Sequence, residues 1–363
     1  MIEFYNLKKL DIFLHKKIIK NFKKNINKCD YILGDDVHKF EKKFSNYVGC
    51  KFGIGCANGT DALFLSLKAL NLPKNSEVII PAMTYCATAF AVINAGLKPV
   101  LVDLEKNSPL IDLRLLKKKI TKKTKVILPV HLYGSVVNLD SLRKIIINYK
   151  QKIYILDDCA QAHGAILNNK KKIGSNSDIS SFSLYPGKNL GAYGDAGIIT
   201  TNNYKYYKIL RKLRNLGAEK KFLHDMIGFN SRLDTIQASI LSIKLDYLDK
   251  FNNNRRVIAK YYDANIINKK ITKLKYSKNS VYHQYVIICK DKNSLIKYLI
   301  KQKIGYGFHY PSSINKIHSL KRLFKGQVYP NAEKLAKNCI SLPIDPNLTK
   351  KEIKFIVSTL NNF

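Results

Sequence analysis

The chain has 363 residues, 46% of them hydrophobic, which is enough to bury a sizeable core and to form two domains. It shows no run of about eighteen apolar residues and no signal-peptide pattern, so we predict neither a membrane span nor secretion. The formal charge of +37 would suit nucleic-acid binding, but lysine is spread along the whole chain and no nucleic-acid motif is present. We therefore interpret the charge as a lysine-rich surface, which would still attract an anionic substrate.

The cysteines and histidines show no metal-binding or disulfide pattern. Seven cysteines form an odd set without a CxxC pair. Such a set fits reduced thiols in a cytoplasmic enzyme better than a disulfide framework or a zinc site. The spacing of the eight histidines gives no ligand pattern either, so we predict no metal.

Short β-branched segments alternate with amphipathic segments between residues 59 and 201. Strands are predicted at 77–82, 98–104, 125–130, 152–158 and 197–201, and helices at 59–70, 86–96 and 138–150. This alternation predicts an α/β fold with a mostly parallel central sheet flanked by helices. In such a sheet, ligands bind beyond the carboxyl ends of the strands.

The alternation ends near residue 202. Residues 231–266 then read as long helices interrupted around 251–254, and a strand follows at 281–289. We predict a large domain over residues 1–245, including the N-terminal segment, and a smaller α+β domain over 246–363.

Two segments in the first hundred residues are candidates for ligand contacts. In "GCANGTDALFLSL" (55–67), Gly55, Gly59 and Thr60 fall where a strand ends and a helix begins, and free N–H groups at a helix start bind phosphate. An Asn-Gly pair is also an ordinary turn signal, so both interpretations stay open. Tyr85, just after a strand, would either stack on an aromatic ring or simply pack.

The segment "YILDDCAQAHGA" (154–165) places Asp157 and Asp158 at the end of an apolar strand. A carboxylate there can keep a pyridinium nitrogen protonated, which makes the ring an electron sink. The alternative is a helix N-cap, a position that aspartate favours. One aspartate could cap while the other binds.

The loop "SFSLYPGKNLGAYGDAG" (181–197) holds a solitary lysine, Lys188, among glycines and aromatic residues. A lysine that forms a Schiff base must spend time as the free amine, so burial or nearby positive charge has to lower its pKa. A tight, apolar loop suits that need. The alternative, an ordinary exposed loop lysine, fits the loop equally well when it is taken alone.

Taken together, these segments resemble the sugar aminotransferases of the DegT/DnrJ/EryC1/StrS family. The resemblance runs from about residue 34 to residue 318 and rests on five motifs in the family's order: "GTDAL", "DDCAQAHGA", "SFSLYPGKNLGAYGDAG", "GFNSRLDTIQAS" and "HYP". It implies the aspartate-aminotransferase-like fold (PLP fold type I) and pyridoxal 5′-phosphate (PLP) as cofactor.

The resemblance also assigns roles to individual residues. Lys188 would bind PLP covalently, and Asp158 would pair with the pyridine nitrogen. Its further cofactor contacts would be Gln161 to the phenolic oxygen of the ring, Ser183, Gly59 and Thr60 to the phosphate, and Tyr85 stacked on the ring. Asn230 would reach the phosphate of the other subunit's cofactor, which implies a homodimer with shared active sites. Tyr185, His309 and Tyr310 would line the sugar pocket.

Four positions depart from the family's usual residues, namely Asp157, Cys159, Gly187 and Ala196, and none removes a group that the chemistry needs. Family members that act as sugar dehydratases carry histidine in place of the lysine at 188. Lysine therefore favours transamination.

The resemblance implies L-glutamate as amino donor and a nucleotide-linked keto-deoxysugar as acceptor. The segment "VYHQYVI" (281–287) resembles members that aminate C3 of dTDP-3-keto-6-deoxyhexoses. The runner-up is C4 amination of a dTDP- or UDP-linked 4-keto sugar, and a non-transaminating PLP protein is the third alternative. We predict a cytoplasmic homodimer that binds neither nucleic acid nor membrane.

Overall fold

The computed structural model describes residues 1–8, 12–220 and 222–363. Its central sheet contains β1 (Phe52–Cys56), β2 (Glu77–Pro81), β3 (Lys98–Val102), β4 (Thr124–Ile127), β5 (Tyr154–Asp158), β6 (Ile179–Ser183) and β7 (Gly197–Thr201). The spatial order is β1-β7-β6-β5-β4-β2-β3. Only β7 in this sheet runs antiparallel to its neighbours, so the predicted α/β fold with a mostly parallel sheet is confirmed.

Helices cover both faces of this sheet, because its strands are apolar on both sides. Val78 belongs to one core layer, whereas Ile79, the next residue along β2, belongs to the opposite layer. Such strands are typical of parallel sheets buried on both faces. The helices along the chain are α1 (His15–Lys28), α2 (Asp35–Val48), α3 (Gly59–Ala69), α4 (Cys86–Asn94), α5 (Leu113–Leu116), α6 (Leu139–Ile146), α7 (Tyr204–Leu213), α8 (Thr235–Leu245), α9 (Leu248–Asn265), α10 (Lys292–Lys301), α11 (Pro330–Asn338) and α12 (Lys350–Asn361), with short 3₁₀ turns at Ile12–Leu14, Leu132–Gly134 and Ile314–Lys316.

A second, antiparallel sheet follows in the chain. It consists of β10 (Ile271–Lys273), β11 (Tyr285–Cys289) and β12 (Cys339–Leu342), and a small hairpin of β8 (Ala218–Lys220) and β9 (Leu223–His224) precedes it. Residues 281–284, predicted as part of a strand, instead form the irregular approach to β11. A separate apolar cluster between this sheet and helices α9, α10 and α12 forms its core.

The break between the long helices lies at residues 246–247, so the interruption predicted around 251–254 is wrong. Those residues are part of α9 because tertiary contacts hold asparagine, a weak helix former, inside the helix. The amide of Asn252 accepts a hydrogen bond from Asn189 Nδ2 at 2.8 Å and donates one to the carbonyl of His163 at 2.8 Å. The predicted domain boundary at residue 245 coincides with the end of α8 and stays a prediction.

The N-terminal residues cross to the second sheet. Ile2 pairs with Ile304, and the N–H of Gly305 donates to the carbonyl of Ile2 at 2.7 Å. This pairing carries Phe4 and Tyr5 to the cavity described below.

All seven cysteines are free thiols. Within the described residues, no helix combines the length and the apolar character that crossing a bilayer requires.

Candidate active site

A large cavity of about 790 Å³ lies at the carboxyl ends of the parallel strands. Segments that follow β1, β2, β5 and β6 line it, together with the N-terminal residues and residues from position 255 onward. Every site residue predicted from the sequence except Asn230 belongs to this lining: Gly59, Thr60, Tyr85, Asp158, Gln161, Ser183, Tyr185, Lys188, His309 and Tyr310.

The start of α3 forms an anion cradle in this cavity. Asn58 caps the helix by accepting a hydrogen bond from the N–H of Asp61 at 2.8 Å. The N–H groups of Gly59 and Thr60 lie in the first turn, where the helix offers them no carbonyl acceptor. A Cβ at position 59 would lie 2.4 Å from the Cβ of Ser183, so only glycine lets the helix start approach Ser183 this closely. The predicted phosphate contacts are therefore adjacent.

A buried ion pair holds the end of β1, from which the chain continues to this helix start. The carboxylate of Glu41 accepts hydrogen bonds from Arg214 and from the N–H of Gly55, the latter at 2.8 Å. Arg214 also donates to the carbonyl of Gly55 at 2.7 Å. Because Glu41 and Arg214 are far apart in the sequence, no local pattern could predict this support.

The environment of Lys188 favours the uncharged amine. Burial lowers the pKa of Lys188 to about 8, against the opposing effect of the Asp158 carboxylate. Nearby imidazoles add no positive charge at neutral pH, since burial and the charge of Lys188 lower the pKa of His163 to about 3 and that of His309 to about 4. The alternative of an ordinary exposed lysine does not describe this side chain.

Asp158 lines the cavity, whereas Asp157 does not. Thr88 Oγ1 donates to Asp158 Oδ2 at 2.8 Å, and the N–H of Ala160 donates to Oδ1 at 3.1 Å. Burial raises the pKa of Asp158, while these hydrogen bonds and the Lys188 ammonium oppose the rise. Residues 159–165 form turns, so neither aspartate is the N-cap of a helix here.

Gln161 is held in one orientation. Its Oε1 accepts a hydrogen bond from the N–H of Tyr133 at 2.6 Å, and its Nε2 donates to the hydroxyl of Tyr310 at 2.8 Å. Because a backbone N–H can only donate, the amide oxygen must face Tyr133. The Nε2 group is thereby fixed toward the cavity side occupied by Tyr310.

Three aromatic residues surround the open part of the cavity. Tyr85 and Tyr185 are 55% and 57% exposed, so both rings have a free face for a ligand. The ring of Tyr310 lies 5.3 Å from that of Tyr85. His309 is fixed by a 2.8 Å hydrogen bond between its Nδ1 and Ser341 Oγ and by the stacked ring of Phe4 at 5.7 Å.

Asn230 lies outside the cavity lining. It is exposed and pairs with Asn215 in an isolated bridge, next to Ser231, whose hydroxyl donates to Asp61 Oδ2 at 2.7 Å. Within one chain, the structure therefore does not bring Asn230 together with the other predicted residues.

Several cavity residues were missed by the sequence analysis. They lie in the N-terminal segment, in the interior of a helix where nothing marks the inward-facing residue, or just before β11: Phe4, Tyr5, Thr88, Arg255, His283 and Gln284. The segment "VYHQYVI" contains His283 and Gln284, so this motif was a signal for the site as well as for β11.

A fully buried cluster lies behind β5, away from the cavity. The ligand atoms of His131, Asp157 and Cys159 lie within 4.8 Å of one another. His131 Nδ1 accepts a hydrogen bond from the N–H of Val137, which leaves the proton of a neutral ring on Nε2, 3.6 Å from Asp157. Burial raises the pKa of the Cys159 thiol. A structural zinc site takes four ligands, and within the described residues this group offers three, so we interpret the cluster as a buried polar contact.

The sequence and the fold are similar to those of known proteins. The sequence model of the DegT/DnrJ/EryC1/StrS aminotransferase family matches residues 13–361. A dTDP-3-amino-3,6-dideoxy-alpha-D-galactopyranose transaminase from Aneurinibacillus thermoaerophilus is 40% identical over 365 residues, with 100% of this chain and 99% of that protein covered. The crystal structure of DesV from S. venezuelae has a TM-score of 0.96 at 32% identity, covering 99% of this chain and 98% of that one. NtdA from Bacillus subtilis, solved with bound cofactor PMP, has a TM-score of 0.88 at 28% identity, covering 96% and 81%.

Proposed function

Because the chain belongs to the DegT/DnrJ/EryC1/StrS aminotransferase family, we propose that it transfers the amino group of L-glutamate to C3 of a dTDP-linked 3-keto-6-deoxyhexose. The chain is a PLP-dependent aminotransferase of nucleotide-linked sugars. The donor, the sugar and the carbon are the proposed part. The observation that carries the sugar and the carbon is the full-length 40% identity to a transaminase named for a dTDP-3-amino sugar, and L-glutamate as the donor rests on the family resemblance.

The cavity fits PLP on its own geometry. A helix start without a side chain at Gly59, flanked by Thr60 and Ser183, suits a phosphate. Asp158 offers a buried carboxylate to a protonated ring nitrogen, and the positive charge of that nitrogen would favour the anionic form of Asp158. Lys188 offers an amine with a pKa of about 8 to an aldehyde.

When bound, PLP supplies an electron sink that makes the α-proton of the donor acidic. Lys188 Nζ is the base in our proposal: it would remove that proton in the first half-reaction, and in the second half-reaction the ammonium would donate a proton to the carbonyl carbon of the sugar. Its pKa of about 8 keeps part of the population neutral at physiological pH. Thr88 fixes the carboxylate of Asp158, and the hydrogen bonds of Gln161 hold its Nε2 for the ring's phenolic oxygen.

The runner-up is C4 amination, or amination of a UDP-linked sugar. A cavity of about 790 Å³ leaves room for a hexose to present either C3 or C4 to Lys188, which is what supports this alternative. A non-transaminating PLP protein is the third alternative, and Lys188 supports transamination instead, because family members that act as sugar dehydratases carry histidine at this position.

We expect L-glutamate to convert the PLP-loaded enzyme to its pyridoxamine form, with loss of the absorbance band of the lysine-bound cofactor. That form should then aminate dTDP-3-keto-6-deoxyhexose faster than dTDP- or UDP-4-keto sugars, with the new amino group at C3 by NMR. A persistent band would contradict the donor, and an amino group at C4 would contradict the acceptor.

We also propose a homodimer in which Asn230 completes the partner's phosphate site. Two observations support it. Asn230 is exposed outside its own chain's cavity, and the nearby segment exposes Leu223 and Ile227 to 54% and 91%. Exposed apolar side chains of this kind are typical of subunit interfaces.

A complementation experiment tests this arrangement. Lys188→Ala and Asn230→Ala should each be inactive alone, but mixing them under subunit exchange should restore about a quarter of wild-type activity, because half of the dimers are hybrids with one intact site. Exchange of Asn230→Ala with wild type serves as the control. If the two variants stay inactive together although hybrid dimers form, Asn230 acts within its own chain.

A further inference from the structure

Arg255 is a buried cation in the wall of the active-site cavity. It lies in α9, is 2% exposed and belongs to the cavity lining. Arginine keeps its charge at any physiological pH, and a buried charge costs free energy unless an opposite charge compensates it. A residue of this kind therefore needs an explanation.

The protein compensates this charge only in part. Arg255 Nη1 donates to the carbonyl of Ile344 at 2.7 Å, and the guanidinium lies 5.7 Å from the centre of the Tyr5 ring. The Nε group is buried and has no hydrogen-bond partner among the residues that the structure describes. Within residues 1–8, 12–220 and 222–363, no carboxylate forms an ion pair with Arg255.

The local field around Arg255 is positive. Burial, Lys188 and Arg255 together lower the pKa of His283, so both cations lie within electrostatic range of the same imidazole. His283 is itself neutral and held by Asn189, its Nδ1 lying 3.0 Å from Asn189 Oδ1. Both Lys188 and Arg255 would therefore attract an anion that enters the cavity.

We propose that Arg255 binds a carboxylate of the amino-acid donor. The proposal rests on the proposed amino-acid donor and adds the residue that recognises it. An α-amino acid must bring its nitrogen to the site of Lys188 and carries a carboxylate on the adjacent carbon, whereas a neutral keto sugar carries none. The guanidinium offers planar, paired N–H donors that match a carboxylate.

The other anion available to the site is the pyrophosphate of the sugar nucleotide. It is attached to a nucleoside that needs the open part of the cavity, where Tyr85 and Tyr185 are more than half exposed. Arg255, in contrast, is almost completely enclosed. This depth favours the smaller carboxylate.

The side chain is also well anchored. Its partner carbonyl at Ile344 belongs to a segment fixed by Tyr262, whose hydroxyl donates to the carbonyl of Pro343 at 2.8 Å, and by Asn254, which donates to the carbonyl of Pro346 at 3.1 Å. A fixed guanidinium loses little conformational freedom when a ligand binds.

The test compares Arg255→Gln with Arg256→Gln in the PLP-loaded enzyme. Arg256 is the matched control because it is the adjacent arginine, donates to the carbonyl of Ser280 at 3.0 Å and is not part of the cavity lining. In single-turnover mixing with L-glutamate, we expect Arg255→Gln to lower the second-order rate constant by about 10- to 100-fold. Arg256→Gln should leave it unchanged. Arg255→Lys should restore part of the lost rate, since lysine keeps the positive charge but not the paired N–H donors of the guanidinium.

Two further measurements separate carboxylate binding from general damage. The calorimetric Kd of 2-oxoglutarate for the pyridoxamine form should rise by a similar factor in Arg255→Gln, while cofactor content stays constant. An amine donor without a carboxylate should react equally slowly with wild type and variant. The proposal would be overturned if Arg255→Gln slowed the reaction with that amine by the same factor as the reaction with glutamate. It would also be overturned if the variant bound dTDP more weakly but reacted with glutamate at an unchanged rate. If wild type does not react with glutamate at all, the proposed donor fails rather than Arg255.

Discussion

We expect Lys188→Ala to abolish covalent capture of PLP and to lower turnover by about 10³-fold or more, because the variant loses both the amine that bonds the cofactor and the proposed base. After borohydride reduction, mass spectrometry should find the reduced cofactor on residue 188 in wild type and on no residue in the variant. The fold should persist. Burial disfavours the charged form of Lys188 and offsets its attraction to Asp158, so we expect the loss of this amine to cost little stability.

Two controls make this prediction specific. Lys205→Ala changes an exposed lysine on α7 and should leave trapping and turnover unchanged. Lys188→Arg keeps a positive charge but offers no free amine, so it should fail to trap the cofactor as completely as alanine does. Trapped cofactor on any other lysine of the Lys188→Ala chain would show that position 188 is wrongly assigned.

The same lysine predicts a pH dependence. The neutral amine attacks the aldehyde, and the pKa of Lys188 is lowered from 10.5 to about 8. The rate at which cofactor-free protein captures PLP should therefore rise with pH, reach half of its maximum near 8 and level off above it, after correction for PLP's own ionisation. A rate still rising steadily at pH 10 would indicate an ordinary, solvated lysine.

In the central sheet, the sequence predicted the strands that carry a strong hydrophobic signal and missed β6, which does not. β7 was predicted with the observed bounds, and β2 to within one residue. β6 was missed because Ser180, Ser181 and Ser183 interrupt its apolar pattern. Ser181 becomes compatible with the core through hydrogen bonds to Ala62 O and Ser66 Oγ, both at 3.0 Å, which no local pattern reveals.

The site residues show the same contrast: those marked by a local sequence pattern were predicted, and those placed by tertiary packing were missed. Lys188 and Asp158 follow strand ends, and the topology of a parallel sheet brings strand ends together. Arg255 and Arg256 are neighbours in a helix with the same chemistry, and only the packing of α9 decides that Arg255 lines the cavity. Thr88 reaches Asp158 across 70 residues of chain, so its role depends on the tertiary fold alone.

Replacing Asp158 by asparagine is expected to preserve the fold and cofactor binding but to lower turnover by about 10²-fold or more, the scale on which a preorganised electrostatic contact acts. Asparagine can still accept the hydrogen bond from the N–H of Ala160 through its Oδ1, and its Nδ2 can donate to the hydroxyl of Thr88 where the carboxylate accepted from it. It cannot supply the negative charge that keeps a ring nitrogen protonated. Steady-state turnover with the best acceptor measures the loss, and absorbance at saturating PLP measures cofactor content.

Asp157→Asn is the matched control because it makes the same change one residue away, on the side of β5 that faces His131 and Ser177 rather than the cavity. Nitrogen NMR of bound PLP labelled at the ring nitrogen separates charge from structure. The signal should report a protonated nitrogen in wild type and Asp157→Asn, and a neutral one in Asp158→Asn. If the nitrogen stays protonated in Asp158→Asn, or if turnover equals that of wild type, another group holds the charge of the ring. The proton transfers proposed for Lys188 depend on this charge, so the electron sink would then have to be assigned to that other group.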